Sequence, residues 1–418
     1  MKNSKSLRRF VNNIYCFSFF NALMVLMPVY AIFMQEHGIS DVQLSTLFML
    51  WCVGAMIFQI PAAWLNRFMG GKKAILLGQL AKVASFILWF AAPNYWGFAA
   101  GMVLWGLQGA IYNVSYESLL YDELKAQHNC ELYCKVLGRR KALSTIGSAL
   151  SAGGSLLLFL GYDFILAATV ASMLISTVFI ARIDVKANAK KSRRKQGKQV
   201  SFVKIMKMGV KAVTRTSCTL YLLLIAVMLS NFSYIDDYFS VIGLEIGLDK
   251  KLVGLVSLFI MCCSMIGGTN AYRMKKIGDR VLYLLISVAG LFFIAFSWVY
   301  SVAGLLLLGL AYVLSSGLNV LNYTKFQDAV PTSHRPIALS LYSMMNNTLY
   351  IVVLALFGLG STLGGWKYSV LIMGGLCVLL GIWALFFVGD KCSAGYPVKS
   401  KGRKLSAAKT TSVSPSQF

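Results

Sequence analysis

Asp236 and Asp237 stand in an otherwise apolar stretch, eight or nine residues before Glu245. On a helix rising 1.5 Å per residue that places them about 12–14 Å from the end marked by Glu245, too deep for a short carboxylate to reach bulk water. A charged group at a helix centre costs about 2.5–3.5 kcal/mol on insertion scales, so it marks a binding or relay function by default. Two neighbouring carboxylates held away from water repel each other, which suits one of them to take up and release a proton. The bland alternative is an Asp hydrogen-bonded to adjacent helices as structural glue. Glu117 is a third carboxylate of this kind. It lies five residues before Asp122, about 140° away around a helix, so the two have different tasks.

The elements that hold these residues follow from composition. The chain has 418 residues, 57% hydrophobic and 13% charged, against about 25% charged in soluble globular domains. Its charges are bunched between apolar runs of about 20 residues, the length that crosses a bilayer as helix. Such runs fall at 11–34, 42–65, 74–92, 95–120, 137–160 and 163–182, and again at 217–243, 252–273, 281–299, 302–326, 337–360 and 367–389. They are continuous, whereas barrel strands alternate over about ten residues. The expected fold is therefore all-α and integral to the membrane, with twelve transmembrane helices.

Charge placement sets the orientation. Of the 40 Lys and Arg residues, 36 fall at the N-terminus, in every second loop and in the tail; the opposite loops hold Lys250, Lys251 and Lys367, and Lys82 alone lies inside a span. By the positive-inside rule both termini are cytoplasmic, and the formal charge of +25 is a topology signal, not a nucleic-acid surface. The expected units are an N-terminal six-helix bundle (1–183), a basic cytoplasmic linker (184–215), a C-terminal six-helix bundle (216–390) and a disordered cytoplasmic tail (391–418).

Two internal matches point to duplication. "QEHGIS" aligns with "LEIGLD" at an offset of 209, pairing Glu36 with Glu245 and Gly38 with Gly247, and "RFMGGK" aligns with "KKIGDR" at 208, pairing Gly70 with Gly278. Because six spans is an even number, the two repeats are parallel. Cys16, Cys52, Cys218, Cys262, Cys263 and Cys377 lie in apolar runs and read as small packing residues. His128, Cys130 and Cys134 supply three donors where zinc takes four, so no metal is expected. No phosphate loop of the G-x-x-x-x-G-K-[ST] type occurs, and His37, His128 and His334 all fall in loops. Neither an enzyme nor a cofactor is indicated.

The segment "QIPAAWLNRFMGGKK", from Gln59 to Lys73, resembles the motif that joins spans 2 and 3 in the major facilitator superfamily, E-I-P-x-G-x-L-A-D-R-x-G-R-K-K in many bacterial members. Gln59 replaces its Glu and Ala63 its Gly; either Arg67 or, with a shift of one, Asn66 falls on its Asp, so the acidic residue is missing in both registers. "LWGLQGAIYNVSYESLLYDELK", "VLGRRKALSTIGSALSAGGSLLL", "IDDYFSVIGLEIGL" and "VPTSHRPIALSLYS" resemble the same bacterial branch. The drug-antiporter motif of span 5 is incomplete, with Thr145, Ala149 and Leu150 where Gly, Gly and Pro are usual.

The resemblance implies that spans 1, 4, 7 and 10 line a central cavity. Glu117 with Tyr112, Asn113 and Tyr116 would then face Asp236, Asp237, Tyr234 and Tyr238, with Asn319, Asn322 and Tyr323 contributing from span 10. Carboxylates among aromatic rings suit a cationic or amphipathic small molecule, although tyrosines at helical spacing also serve as packing. An anion would need Lys or Arg in the lining spans, where only Lys325 is found. At the cytoplasmic end Asp122 would latch to Arg67, Lys72, Arg139 or Arg140, mirrored by Asp279, Arg280, Asp328 and Arg335. A carboxylate partner is expected for Lys82.

The resulting expectation is a monomeric secondary transporter of the cell membrane, working by alternating access and coupled to protons, with export of a cationic or amphipathic compound first and import of a sugar, peptide or organic acid second. The rival class is a sensor or scaffold that keeps the fold without transporting.

Overall fold

The computed structural model describes residues 2–127, 129, 132–185, 217–232, 235–274, 277–330 and 335–388. Nearly all of the expected linker, and the tail, lie outside them, as do Tyr234, His128, Cys130, His334 and the side chains of Cys134 and Arg335. The first half comprises α1 (Lys2–Ala22), α2 (Tyr30–Glu36), α3 (Asp41–Ile57), α4 (Gln59–Met69), α5 (Gly71–Ala91), α6 (Tyr95–Ala126), α7 (Tyr133–Ala152) with a 3-10 continuation Gly153–Leu160, and α8 (Tyr162–Ala181). The second comprises α9 (Ser217–Phe232), a 3-10 turn Ile235–Tyr238, α10 (Phe239–Glu245), α11 (Val253–Met274), α12 (Asp279–Trp298), α13 (Leu305–Ala329), α14 (Arg335–Ser361) and α15 (Trp366–Phe387).

Among the described residues nine helices are long and apolar enough to cross a bilayer, and α3 with α4, bent by 47°, makes a tenth. Two of the expected spans fall outside that set for physical reasons. The first is interrupted between α1 and α2, and α6, though 32 residues long, carries Gln108, Asn113, Ser115, Glu117 and Ser118 along its length. Large apolar side chains such as Ile60, Trp64, Leu80, Phe90, Leu291 and Phe386 are exposed, a surface suited to hydrocarbon and not to water.

The interruption in the first span is built around Pro28, which has no N–H to donate and disfavours helix in the residue before it. Backbone groups freed inside a membrane must be satisfied by the protein itself. Ser172 Oγ donates to the Phe20 carbonyl at 2.9 Å, Lys82 Nζ donates to the Asn21 carbonyl at 3.2 Å, and Ser151 Oγ lies 3.2 Å from the Ala22 carbonyl. On the other side of the break the amide of Met24 donates to Ser151 Oγ at 2.7 Å and that of Leu26 to Thr169 Oγ1 at 3.0 Å.

The seventh span is interrupted at the same register. Shifting α2 by 209 residues gives α10. Both helices end in a Schellman turn with a left-handed glycine, Gly38 at φ 82° and Gly247 at φ 93°. Ile39 N–H bonds to the Met34 carbonyl at 3.2 Å and Leu248 N–H to the Gly243 carbonyl at 3.0 Å. At the second match the helix starts agree, Gly71 for α5 and Asp279 for α12. The backbones before them differ, since Gly70 has φ 84° and Gly278 has φ −64°.

The halves meet where α14 packs on α3, α10 on α2, and α11 on α7 and its 3-10 continuation. Polar bonds between the halves sit toward the end that carries Gly38 and Gly247. Tyr238 Oη donates to Ser45 Oγ at 2.8 Å, Ser155 Oγ donates to the Lys251 carbonyl at 2.8 Å and accepts from Gly254 N–H at 3.1 Å, and Lys250 pairs with Glu36.

Within the second half, α12 and α15 approach through Gly290 and Gly374; a Cβ at Gly290 would come within 2.7 Å of the Gly374 carbonyl, whereas one at Gly375 would meet nothing within 4 Å. Gly290→Leu is expected to lower stability by about 1–3 kcal/mol through overpacking, with Gly375→Leu close to neutral; thermal melting in detergent reads the difference.

Candidate functional site

Asp237 is the polar centre of the junction. Tyr30 Oη, at the first residue after the break in span 1, donates to Asp237 Oδ1 at 2.6 Å. Tyr350 Oη of α14 donates to Asp237 Oδ2 at 2.7 Å. The two interrupted spans are thus tied to each other at their interruptions. Both phenols are charge-assisted donors to a carboxylate, the strong kind of hydrogen bond.

Asp236 is disposed differently. It is enclosed by protein, within electrostatic reach of Tyr30, Tyr312 and Tyr350, yet it is exposed. A group surrounded by protein that still has accessible surface lines an internal vestibule. Tyr312 Oη beside it is buried without a hydrogen-bond partner. On the first-half side stands an aromatic wall, with Tyr30 stacked on Trp89 at 6.4 Å and edge-on to Trp105 at 6.5 Å.

The other expected site residues divide by position. Asn113 and Glu117 on α6 are exposed. Tyr112 and Tyr116 stack at 4.7 Å. Tyr238 is buried at the junction, against Phe48, Phe357 and Trp366. On α13, Asn319 and Asn322 each keep a buried Oδ1 without a partner, and Tyr323 stacks on Tyr342 at 4.8 Å. Tyr30, Tyr350 and Tyr312 carry no charge and sit in apolar runs, so spacing alone does not single them out.

At the Lys/Arg-rich end, Arg67, Asp122, Arg139, Arg280 and Asp328 are exposed and Lys72 is half-buried. Asp279 pairs with Lys325, so the cation considered for an anionic cargo is neutralised within its own half. Arg140 turns inward, its Nη1 donating to Tyr112 Oη at 2.6 Å. Lys82 corrects an expectation. It is buried and has no carboxylate partner among the described residues; its Nζ donates to the carbonyl and Oδ1 of Asn21, both at 3.2 Å, and Gln79 shares that Oδ1 at 3.0 Å. Cys218 is disulfide-bonded and not a free packing thiol. No three His, Cys, Asp or Glu gather to hold a metal among the described residues.

Two interrupted spans crossing at a carboxylate, with a polar vestibule beside them and an apolar exterior, define a polytopic membrane protein of the secondary-transporter kind. Residues 13–326 match the family model Major Facilitator Superfamily, and the chain belongs to that superfamily. The fold is similar to that of the nucleoside transporter NupG (TM-score 0.70, 12% identity, covering 91% of this chain and 99% of that one). It is likewise similar to a D-xylose-proton symporter (0.66, 11%, 93% and 98%) and to a bacterial homolog of the human lysosomal transporter Spinster in an inward-facing and occupied conformation (0.65, 12%, 94% and 97%). Sequence comparison with curated proteins finds no match.

Tyr30 bonds to Asp237 across the halves, whereas Tyr350 does so within one. Tyr30→Phe should therefore loosen the junction and raise the alkylation rate of Cys52, which is 3% exposed, by several-fold, with a smaller effect for Tyr350→Phe. Each loses a hydrogen bond to a charged group, about 1.5–3 kcal/mol. Site-resolved mass spectrometry after N-ethylmaleimide treatment checks the order of the two variants.

Proposed function

We propose that this protein is a secondary active transporter that moves a small molecule by alternating access, coupled to protons through Asp236, Asp237 and Glu117. The single observation that carries the reading is Asp236: a carboxylate enclosed by the bundle yet open to an internal vestibule, beside a second carboxylate that ties the two halves together. A change in the charge of this pair alters the bond between Tyr30 and Asp237, and hence the relative stability of the two orientations. The proton comes and goes at the exposed member, and the junction responds at the half-buried one.

The same reading has twelve spans in two parallel six-helix repeats, with the chain monomeric in the cell membrane and both termini cytoplasmic. What supports it is the matched interruption of the first and seventh spans and the asymmetry of Lys and Arg. Closure at the Gly38 and Gly247 end then makes the vestibule face the cytoplasm. The charges at the opposite end would form the latch of the alternate orientation, with exposed Arg67, Asp122 and Arg139 and half-buried Lys72 in one half, exposed Arg280 and Asp328 together with Arg335 in the other, and Asp279 leaving Lys325 to join it. Asn113 and Asn319 offer neutral hydrogen bonds to cargo and Tyr112 and Tyr323 present ring faces, whereas Asn322 and Tyr116 are buried behind them.

Similarity to a D-xylose-proton symporter and to a nucleoside transporter supports transport over a scaffold role. Export of a cationic or amphipathic compound and import of a polar nutrient are separated by a growth screen of an overexpressing strain on toxic-compound and nutrient panels. For the compound so found, replacing Asp236 and Asp237 with Asn and Glu117 with Gln is expected to abolish gradient-driven transport in proteoliposomes, leaving at most counterflow. Undiminished gradient-driven transport in the triple variant would falsify the coupling.

A further inference from the structure

Arg140 is a cation that forms no ion pair within 4 Å among the described residues, although Glu117 lies within electrostatic reach. Arg140, eight residues into α7, is half-buried. Its Nη1 donates to Tyr112 Oη at 2.6 Å, its Cζ lies 4.8 Å from the centre of the Tyr116 ring, and its Nε is buried with no hydrogen-bond partner. Tyr116 is itself fixed, by Ser18 Oγ at 2.9 Å and by Phe17 stacked at 5.4 Å. Glu117, the next residue, is exposed and forms no ion pair with Arg140 among the described residues.

This arrangement is incomplete as a structural contact. A guanidinium carries five N–H donors and a charge that no protein environment removes. The phenols it meets are neutral: Tyr112 and Tyr116 both accept hydrogen bonds from it, and the Tyr116 ring adds a cation–π contact worth about 0.5–2 kcal/mol. Charges drawn away from water are normally paired. What is lacking is a planar oxyanion, the group that matches the guanidinium fork in two parallel hydrogen bonds. Beside that fork lies the half-buried ring of Tyr112, backed by the buried rings of Phe17 and Tyr116.

We propose that Arg140 with Tyr112 and Tyr116 is an anion subsite, so that the cargo carries a carboxylate or comparable planar oxyanion on an aromatic or amphipathic body. This rests on the transport reading and refines its cargo. Lys325, the cation the sequence offers for such a role, is occupied by Asp279.

The test uses the purified full-length protein in detergent, with benzoate and benzylammonium as probes at matched ionic strength. Benzoate should raise the melting midpoint of the wild type saturably, as a ligand of the folded state does. In Arg140→Gln the half-saturating concentration should rise at least about tenfold, as expected for loss of a charge-assisted pair, with Arg140→Lys in between. The wild-type measurement decides even if Arg140→Gln does not fold: absence of a saturable benzoate shift overturns the proposal, as does equal half-saturation in a folded Arg140→Gln. Stabilisation of the wild type by benzylammonium alone also overturns the anion subsite but leaves the transport reading standing. That reading fails separately, if gradient-driven transport survives the triple carboxylate replacement.

Discussion

A helix that stops inside a bilayer leaves carbonyl and amide groups that hydrocarbon cannot solvate, and the organisation of this protein follows from how those groups are satisfied. At the end of α1, three successive carbonyls meet Ser172, Lys82 and Ser151. These partners come from α8, α5 and α7, so one local defect draws three helices onto α1 and fixes their rotation about it. The same partners set where α2 begins, and therefore where the Tyr30 hydroxyl points. Lys82 is best understood in this light: its ammonium faces the negative end of the α1 dipole, where a cation is favoured, and this interaction takes the place of a salt bridge.

The two interrupted spans match in backbone where α2 and α10 end on left-handed glycines, but they divide the chemical work. The interruption in the first half is healed by hydroxyls and an ammonium, and it presents a phenol. The interruption in the second half presents two carboxylates, one tied to that phenol and one open to the vestibule. The directional bonds of this junction gather at the breaks and toward the end that carries Gly38 and Gly247. The exposed Lys250–Glu36 pair adds little to such a junction, since surface pairs contribute about 0–1 kcal/mol; Asp237, held by two phenols, contributes more.

How far the sequence discloses this depends on the kind of signal. Long apolar runs follow from the bilayer itself, so the all-α membrane class and, among the described residues, ten of the twelve expected spans can be read directly. Repeats survive where backbone geometry demands a particular residue: Gly38 and Gly247 both adopt a left-handed conformation, whereas Gly70 and Gly278 match in letters but differ in φ. Tyr30 and Tyr350 are silent because a tyrosine in an apolar run has the same composition whether it packs or donates. Arg140 is misleading for the opposite reason. Its place in a basic stretch argues for a solvated end, and only the turn of α7 brings it beneath Tyr112. Lys325 and Asp279 are far apart in the chain, so their neutralisation of each other is a tertiary fact.

The bond between Tyr30 and Asp237 also bears on how the chain is made. Synthesis proceeds from the N-terminus, and early units tend to fold before later ones exist. Some two hundred residues separate the phenol from its acceptor, so the first bundle leaves the translocation machinery with its broken helix internally mended but its outward hydroxyl still waiting. Assembly of the second bundle supplies the missing acceptor, which makes this contact a natural checkpoint for whether a newly inserted molecule has been completed.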